Sequence, residues 1–265
     1  MPWSALQTLE PLHAQQIRLI ATDMDGTLTT QGQFTATLLQ TLEQLAIAQI
    51  PVVIVTGRSA GWVSGVVEYL PIFGAIAENG GLFFPRKADQ FWLLADIADF
   101  SKHRKALEQM FQSLQQEWPT VQESSDNRFR LTDWTFDVTG LTPGDLQQMG
   151  DRCQANGFGF TYSTVQCHIK LSAQDKASGL LRVLHRYFPS LSPTNLVTVG
   201  DSPNDEPLFA PVFPLSVGVA NVLEYRDRLT YPPAYVTQTP EGQGFCELAQ
   251  YLLTTQTPAA GSPSP

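Results

Sequence analysis

Paired carboxylates follow two separate apolar runs of the chain. Asp23 and Asp25 come directly after residues 17–22, and Asp201 and Asp205 come after residues 196–199. If these segments bring the four groups together, their like charges cannot all stay ionised without compensation by a cation. A site made of carboxylate oxygens and water favours Mg²⁺, which keeps a coordination position for a substrate phosphate. The pattern therefore predicts a magnesium site suited to phosphate chemistry.

A third polar cluster follows another apolar run. Thr56 and Arg58 come after the β-branched residues 52–55, and Asn204 lies between Asp201 and Asp205. Ligands bind at the carboxyl ends of the strands in an open parallel sheet. We therefore expect the three clusters to converge on one pocket, where Arg58 and Asn204 contact the phosphate or the rest of the substrate.

The elements that would position these clusters alternate between strands and helices. Apolar runs at residues 17–22, 52–55, 73–77 and 196–199 are continuous rather than alternating, as in parallel strands buried on both faces. Between them, Leu38, Leu42 and Leu45 recur at helical spacing after a capping Thr35. The rhythm predicts an α/β fold with a doubly wound, Rossmann-like parallel-sheet core.

One long segment interrupts that rhythm. Residues 85–168 read as hairpin strands and two helices, which predicts an inserted α+β cap domain. The core would then consist of residues 1–84 and 169–253. Residues 254–265 are rich in Thr, Ala, Gly, Ser and Pro without periodicity and predict a disordered tail.

The composition argues against several classes of partner. The formal net charge of −9 disfavours binding to nucleic acid and to anionic membrane surfaces. The three cysteines form neither a CxxC pair nor an even disulfide set, which favours buried thiols in a reducing compartment. The first 16 residues lack the pattern of a signal peptide, and the longest apolar run, residues 50–55, is too short to span a bilayer. We expect a cytoplasmic protein.

The polar clusters resemble the motifs of the haloacid dehalogenase-like superfamily of phosphohydrolases. Residues 23–29, Asp-Met-Asp-Gly-Thr-Leu-Thr, are similar to its first motif, Thr56 to its second and Lys176 to its third. Residues 200–205, Gly-Asp-Ser-Pro-Asn-Asp, are similar to its fourth. Residues 78–81, Glu-Asn-Gly-Gly, resemble the branch of the superfamily that contains the sucrose-phosphate and Cof-type phosphatases. The chain also resembles mannosyl-3-phosphoglycerate phosphatases.

The spacing of the motifs locates the cap. Asp25 and Thr56 are 31 positions apart, which leaves room for one helix and one strand. Thr56 and Lys176 are 120 positions apart, far more than the roughly 30 residues of a βαβ unit. The insertion therefore follows the second motif.

The resemblance implies a role for each motif residue. Asp23 would attack phosphorus to form an aspartyl-phosphate, and Asp25 would protonate the leaving alcohol and then activate water. The Asp23 and Asp201 side chains and the Asp25 carbonyl would hold Mg²⁺, with support from Asp205. Thr56 and Lys176 would stabilise the charge of the transferred phosphoryl group.

The lysine assignment has a competitor, and several further residues are candidates for substrate binding. Lys176 is preferred because it opens a helix as the third motif does, whereas Lys170 could reach the substrate from the cap junction. The other candidates are Asn79, Arg130 and His168.

The resulting hypothesis is a Mg²⁺-dependent phosphatase that hydrolyses a small phosphorylated sugar or sugar-glycerate. A phosphotransferase using the same aspartyl-phosphate is one alternative. A non-catalytic phosphate-responsive module, such as a receiver domain, is another, although a cap that excludes water favours an enzyme.

Overall fold

A nine-stranded sheet forms the larger part of the molecule. The computed structural model describes residues 3–88, 90–163 and 165–255. The sheet order is β1-β12-β11-β10-β2-β3-β4-β5-β6, parallel from β1 to β4, whereas β5 and β6 join antiparallel. Its strands are β1 (Ser4–Ala5), β2 (Leu19–Thr22), β3 (Val52–Val55), β4 (Gly74–Ala77), β5 (Leu82–Pro85), β6 (Trp92–Leu93), β10 (Leu196–Gly200), β11 (Ser216–Gly218) and β12 (Tyr235–Val236).

Helices cover both faces of this sheet, as predicted for a doubly wound α/β core. On one face of the sheet, an apolar cluster joins strand residues such as Ile20 and Ile54 to three helices. On the other face, a second apolar cluster joins Ala21 and Val53 to a fourth helix. The three helices are α2 (Ala36–Ile47), α3 (Ala60–Tyr69) and α7 (Glu241–Thr255), and the fourth is α6 (Lys176–Tyr187); α1 (Pro11–Ala14) is one turn long. Burial of both strand faces is why these strands read as continuous apolar runs.

Local signals start two of these helices. The Thr35 side chain accepts a hydrogen bond from the backbone N–H of Leu38 at 3.2 Å and caps α2, as predicted. In α6, Asp175 and Ser178 form a reciprocal capping box, so the turn that carries Lys176 is fixed at its first residue.

A second, three-stranded antiparallel sheet has its own apolar core. Its order is β7-β9-β8, formed by β7 (Asp133–Asp137), β9 (Gln166–Leu171) and β8 (Phe158–Tyr162). Helices α4 (Phe100–Glu117) and α5 (Pro143–Ala155) pack on one face through a cluster that includes Phe111 and Phe136. We call residues 96–171, which carry this sheet, the insertion.

Several observed boundaries differ from the predicted ones. Strand β6 pairs with the large sheet although it lies after residue 85, and β9 continues to Leu171, beyond residue 168. The first predicted strand begins at Leu19 rather than at residue 17, and the third at Gly74 rather than 73. Hydrogen-bonded pairing, which no local pattern encodes, sets these ends. Thr254 and Thr255 belong to α7, and residues 256–265 of the predicted tail lie outside the described residues.

Every helix in the described part of the chain is too short or too polar to cross a membrane.

Candidate active site

The strand order brings the predicted clusters together. Strand β2 lies between β10 and β3, so Asp23, Thr56 and Asp201 leave the same edge of the sheet at adjacent strand ends. The backbone N–H of Asp23 donates to Val199 at 2.9 Å, which ties the first motif directly to the strand before the fourth. The convergence expected from the sequence is thus present in the structure.

Lys176 lies at the centre of this convergence. Its Nζ donates to Asp23 Oδ1 at 2.5 Å and to Asp205 Oδ1 at 2.6 Å, and all three side chains are buried. Burial lowers the pKa of Lys176, but the charges of Asp205 and Asp23 outweigh it, so its pKa is raised and the ammonium is retained. Lys170, the competing candidate, instead donates to the carbonyl oxygen of Gln174.

Two further groups orient Asp201. Its Oδ1 accepts from Thr27 Oγ1 at 3.1 Å, and its Oδ2 accepts from Asn221 Nδ2 at 3.0 Å. Asp205 Oδ2 accepts from the backbone N–H of Asp201 at 2.9 Å. Burial, followed by the charge of Asp205, raises the pKa of Asp201 to about 8. Burial and Asp205 also raise the pKa of Asp23 well above its usual range.

The donor chemistry of this cluster fits a divalent cation. Carboxylate oxygens of Asp23, Asp201 and Asp205 lie within 4.8 Å of one another. Three buried carboxylates face a single lysine, so their mutual repulsion adds to burial in raising the pKa values of Asp23 and Asp201. Hard oxygen donors of this kind are the ligands Mg²⁺ prefers.

Asp25 and Arg58 form the partly exposed rim of the site, and Thr56 lies beneath it. Arg58 binds the Asp25 carboxylate with two hydrogen bonds, both at 2.8 Å, and its guanidinium lies 5.4 Å from the Trp62 ring centroid. The Asp25 carboxylate is therefore paired with Arg58. Thr56 is buried, and its Oγ1 accepts from the backbone N–H of Arg58 at 3.1 Å.

Three of the predicted substrate-binding residues occupy two different environments. Asn204 accepts from Ser202 Oγ at 2.6 Å, close to the carboxylate cluster. Asn79 and His168 meet at Gly57, where a Cβ would lie 3.2 Å from Asn79 Nδ2 and 3.2 Å from His168 Cε1. Both side-chain polar atoms of Asn79 are buried without a hydrogen-bond partner among the described residues.

The guanidinium of Arg130 is directed at protein groups. It donates to both Asp133 oxygens at 3.0 and 3.1 Å, to Asp126 at 2.9 Å and to the carbonyl oxygen of Gly57 at 2.9 Å. Arg130 therefore connects the insertion to the second motif through buried hydrogen bonds. The prediction that Arg130 contacts substrate remains untested.

Glu78 and Asp133 are polar residues of this region that the sequence analysis did not single out. The Glu78 carboxylate accepts from the backbone N–H of Ala60 at 2.8 Å and from Thr132 N and Oγ1 at 2.6 and 2.7 Å. Asp133 binds His168 as well as Arg130. Glu78 belongs to the Glu-Asn-Gly-Gly segment, so the sequence contained a pattern that could have identified it. Asp133 belongs to no motif.

Sequence comparison identifies relatives of the chain. A family model for haloacid dehalogenase-like hydrolases matches residues 20–117. Phosphoglycolate phosphatase of Methanothrix thermoacetophila is 25% identical over 241 residues, covering 89% of this chain and 97% of the relative. Phosphoglycolate phosphatase of Thermoplasma acidophilum is 27% identical over 73% of this chain and 81% of the relative.

Solved structures share the fold. A Thermoplasma acidophilum protein matches with a TM-score of 0.71 at 22% identity, covering 89% of this chain and 98% of that one. The sucrose-phosphatase of Synechocystis, determined with sucrose and phosphate, matches with a TM-score of 0.68 at 14% identity over 90% of this chain and 98% of that one. Taken with the four motifs in order, the family model and these relatives show that the chain is similar to the haloacid dehalogenase-like hydrolases and support a phosphatase.

Proposed function

We propose that this phosphatase hydrolyses a small phosphorylated metabolite through an aspartyl-phosphate on Asp23, with Mg²⁺ as cofactor. The observation that carries the proposal is the buried contact of Lys176 with Asp23 and Asp205 beside Asp201. A buried cation next to a carboxylate nucleophile suits a reaction in which negative charge on phosphoryl oxygens must be held.

Asp23 and Asp201 would hold the metal, and Asp205 would support it through its hydrogen bonds to the Asp201 and Ser202 backbone. The bound cation supplies charge neutralisation for the carboxylates and for the substrate phosphate. The Asp25 carbonyl, which the family resemblance adds to this set, remains a prediction.

Residues of the chain would supply the reacting groups for two steps, transfer of the phosphoryl group to Asp23 and hydrolysis of the aspartyl-phosphate. An Asp23 oxygen forms a bond to phosphorus while the ester P–O bond breaks, and Asp25 gives its proton to the leaving alkoxide. Water then attacks phosphorus, its proton passes to Asp25, and inorganic phosphate leaves a regenerated Asp23. Arg58 donates two hydrogen bonds to the Asp25 carboxylate and so positions the group that accepts the proton in the second step.

Two substrate classes follow from different observations. The relatives favour 2-phosphoglycolate, because the matched proteins of that name align over most of this chain. A cavity of about 680 Å³ beside Arg58 favours a larger leaving group, such as a sugar or sugar-glycerate. Trp62 from α3 and Phe129 from the insertion line this cavity, and both are exposed. A cytoplasmic location stays a prediction.

The test is phosphate release from 2-phosphoglycolate and a panel of sugar phosphates by the parent and by Asp23→Asn. We expect Asp23→Asn to abolish turnover on every ester with an unchanged circular-dichroism spectrum, because it removes the nucleophile's charge at nearly constant volume. EDTA should stop the parent enzyme, and Mg²⁺ should restore it. Turnover of Asp23→Asn within tenfold of the parent would refute the assignment of Asp23.

A further inference from the structure

One face of the three-stranded sheet is polar, and it packs against the second motif at Gly57. On β9, Gln166 and His168 alternate with Cys167 and Ile169, which pack into the core of the insertion. Gln166 lines the cavity that Arg58 shares, and Thr161, opposite His168 on β8, lines a second cavity together with Pro203. His168 lies between Gln166 and Lys170 along this face, and its ring packs against Gly57, which separates Thr56 from Arg58.

The hydrogen bonds of Asp133 define which nitrogen of His168 carries a proton. His168 Nδ1 lies 2.8 Å from Asp133 Oδ2, and Arg130 donates to both oxygens of the same carboxylate. Although burial raises it, the charge of Arg130 and the His168 hydrogen bond bring the pKa of Asp133 below its usual value. An ionised carboxylate only accepts, so Nδ1 must be the donor.

The other ring nitrogen is then left as an acceptor. Burial lowers the pKa of His168 despite the opposing effect of Asp133, so the ring is neutral at pH 7.5. A neutral ring with hydrogen on Nδ1 carries a lone pair on Nε2. Nε2 makes no hydrogen bond within the described part of the chain, and the ring packs against Gly57, next to Thr56.

We propose that Asp133 is a positioning residue that presents His168 Nε2 as a hydrogen-bond acceptor, so that the enzyme prefers phosphate esters whose leaving group carries a hydroxyl. The inference rests on the proposed function and narrows its substrate class. A hydroxyl donates to Nε2, whereas the carboxylate of glycolate has no proton to offer and meets a lone pair. Polyol and sugar esters are thus favoured over 2-phosphoglycolate.

A matched pair of esters tests the preference. Glycerol 3-phosphate and n-propyl phosphate differ only in hydroxyl groups, and the parent should favour the former by about tenfold in kcat/KM, as expected for one neutral hydrogen bond. Asp133→Asn and His168→Phe should bring the ratio close to one. Asp99→Asn, which changes an exposed carboxylate that caps α4 to another capping residue, should keep the parental ratio.

If Asp133→Asn fails to fold, the protonation of the His168 ring can be measured directly in the parent enzyme. The ¹⁵N shifts of the parent's histidine rings at pH 7.5, assigned with the His168 variant, should show hydrogen on Nδ1 and none on Nε2 of His168. A proton on Nε2, a parental preference near one, or an unchanged ratio in a folded Asp133→Asn would each overturn the inference. Failure of the proposed function is distinguishable, because it would appear as retained turnover in Asp23→Asn.

Discussion

At the scale of single residues, the buried ammonium group of Lys176 organises the site. Lys176 is 1% exposed and contacts two carboxylates that are themselves buried. Such an arrangement does little for stability when complete, but removing one member leaves charges buried without a partner. Lys176 therefore couples the stability of the core to the chemistry proposed for Asp23.

Replacing Lys176 tests its role in stability and its role in catalysis by separate measurements. Lys176→Met should lower the free energy of unfolding in EDTA by about 3 to 5 kcal/mol, because Asp23 and Asp205 lose their counter-charge. It should also lower kcat by about 100- to 1,000-fold, because the donor nearest the nucleophile is lost. Urea denaturation and phosphate-release assays measure these effects.

The matched control is Lys102→Met on α4, where the side chain is 88% exposed and lies 3.8 Å from Asp99. Its effect on the free energy of unfolding should stay within about 0.5 kcal/mol. If Lys176→Met keeps kcat within tenfold of the parent and Lys170→Met does not, the assignment of the phosphate-binding lysine passes to Lys170.

At the scale of elements, close backbone approach places the first turn of α6. Gly80 has a left-handed backbone with φ of +99°, and a Cβ on Gly179 would lie 2.7 Å from Gly80 Cα. The turn after β4 and helix α6 can approach this closely only because both positions are glycine. This contact brings Lys176, three residues before Gly179, to the strand ends.

A pair of glycine substitutions tests this contact. Gly179→Ala must push α6 away from backbone that cannot yield, so we expect a stability loss of about 1 to 3 kcal/mol and at least a tenfold fall in kcat. Gly65→Ala on α3 meets nothing within 4 Å and should raise stability by about 0.5 to 1 kcal/mol with kcat unchanged. Parental activity in Gly179→Ala would contradict the role given to this contact.

The turn after β4 also carries the buried Glu78, which joins α3 to the insertion. Burial raises the pKa of Glu78 from 4.5 to about 7, so the folded state binds this proton more tightly than the unfolded chain does. Its contribution to the free energy of unfolding therefore increases as the pH falls from about 7 to about 4.5, by up to about 3 kcal/mol.

Urea denaturation at several pH values between 7.5 and 4.5 measures this contribution as the difference between the parent and Glu78→Gln. The difference should grow in favour of the parent as the pH falls. Glu43→Gln, at an exposed position of α2, should run parallel to the parent. Parallel curves for the parent and Glu78→Gln would mean that Glu78 ionises as it does in the unfolded chain.

At the scale of the whole molecule, the residues proposed for the chemistry and those proposed for substrate selection lie on different units. The motif residues Asp23, Thr56, Lys176 and Asp201 belong to the large sheet and its connections, whereas His168 belongs to the insertion, which has a separate apolar cluster. Contacts away from phosphorus increase turnover by orienting the substrate and excluding water.

Excising the insertion tests this division. Replacing residues 96–171 by a short Gly-Ser linker should leave slow hydrolysis of p-nitrophenyl phosphate but remove the preference for glycerol 3-phosphate over n-propyl phosphate. A circular-dichroism melt must show cooperative folding, because the excision uncovers Glu78 and Gly57. A folded, truncated enzyme that ranks the esters as the full chain does would place the selection in core residues such as Arg58.

The sequence by itself determined the α/β core and the positions of the polar clusters. Continuous apolar runs and the Thr35 cap are local signals, and parallel strands bring their carboxyl ends to one edge, so the meeting of Asp23, Thr56 and Asp201 followed from pattern alone. The tertiary structure decided which side chains pair. A lysine in the first turn of a helix has the same local sequence whether it is solvated or buried, and Lys176 meets Asp23 across 153 positions. Two further contacts are also non-local: packing of the insertion on the core brings Arg130 to Gly57, and the pairing of β7 with β9 brings Asp133 to His168.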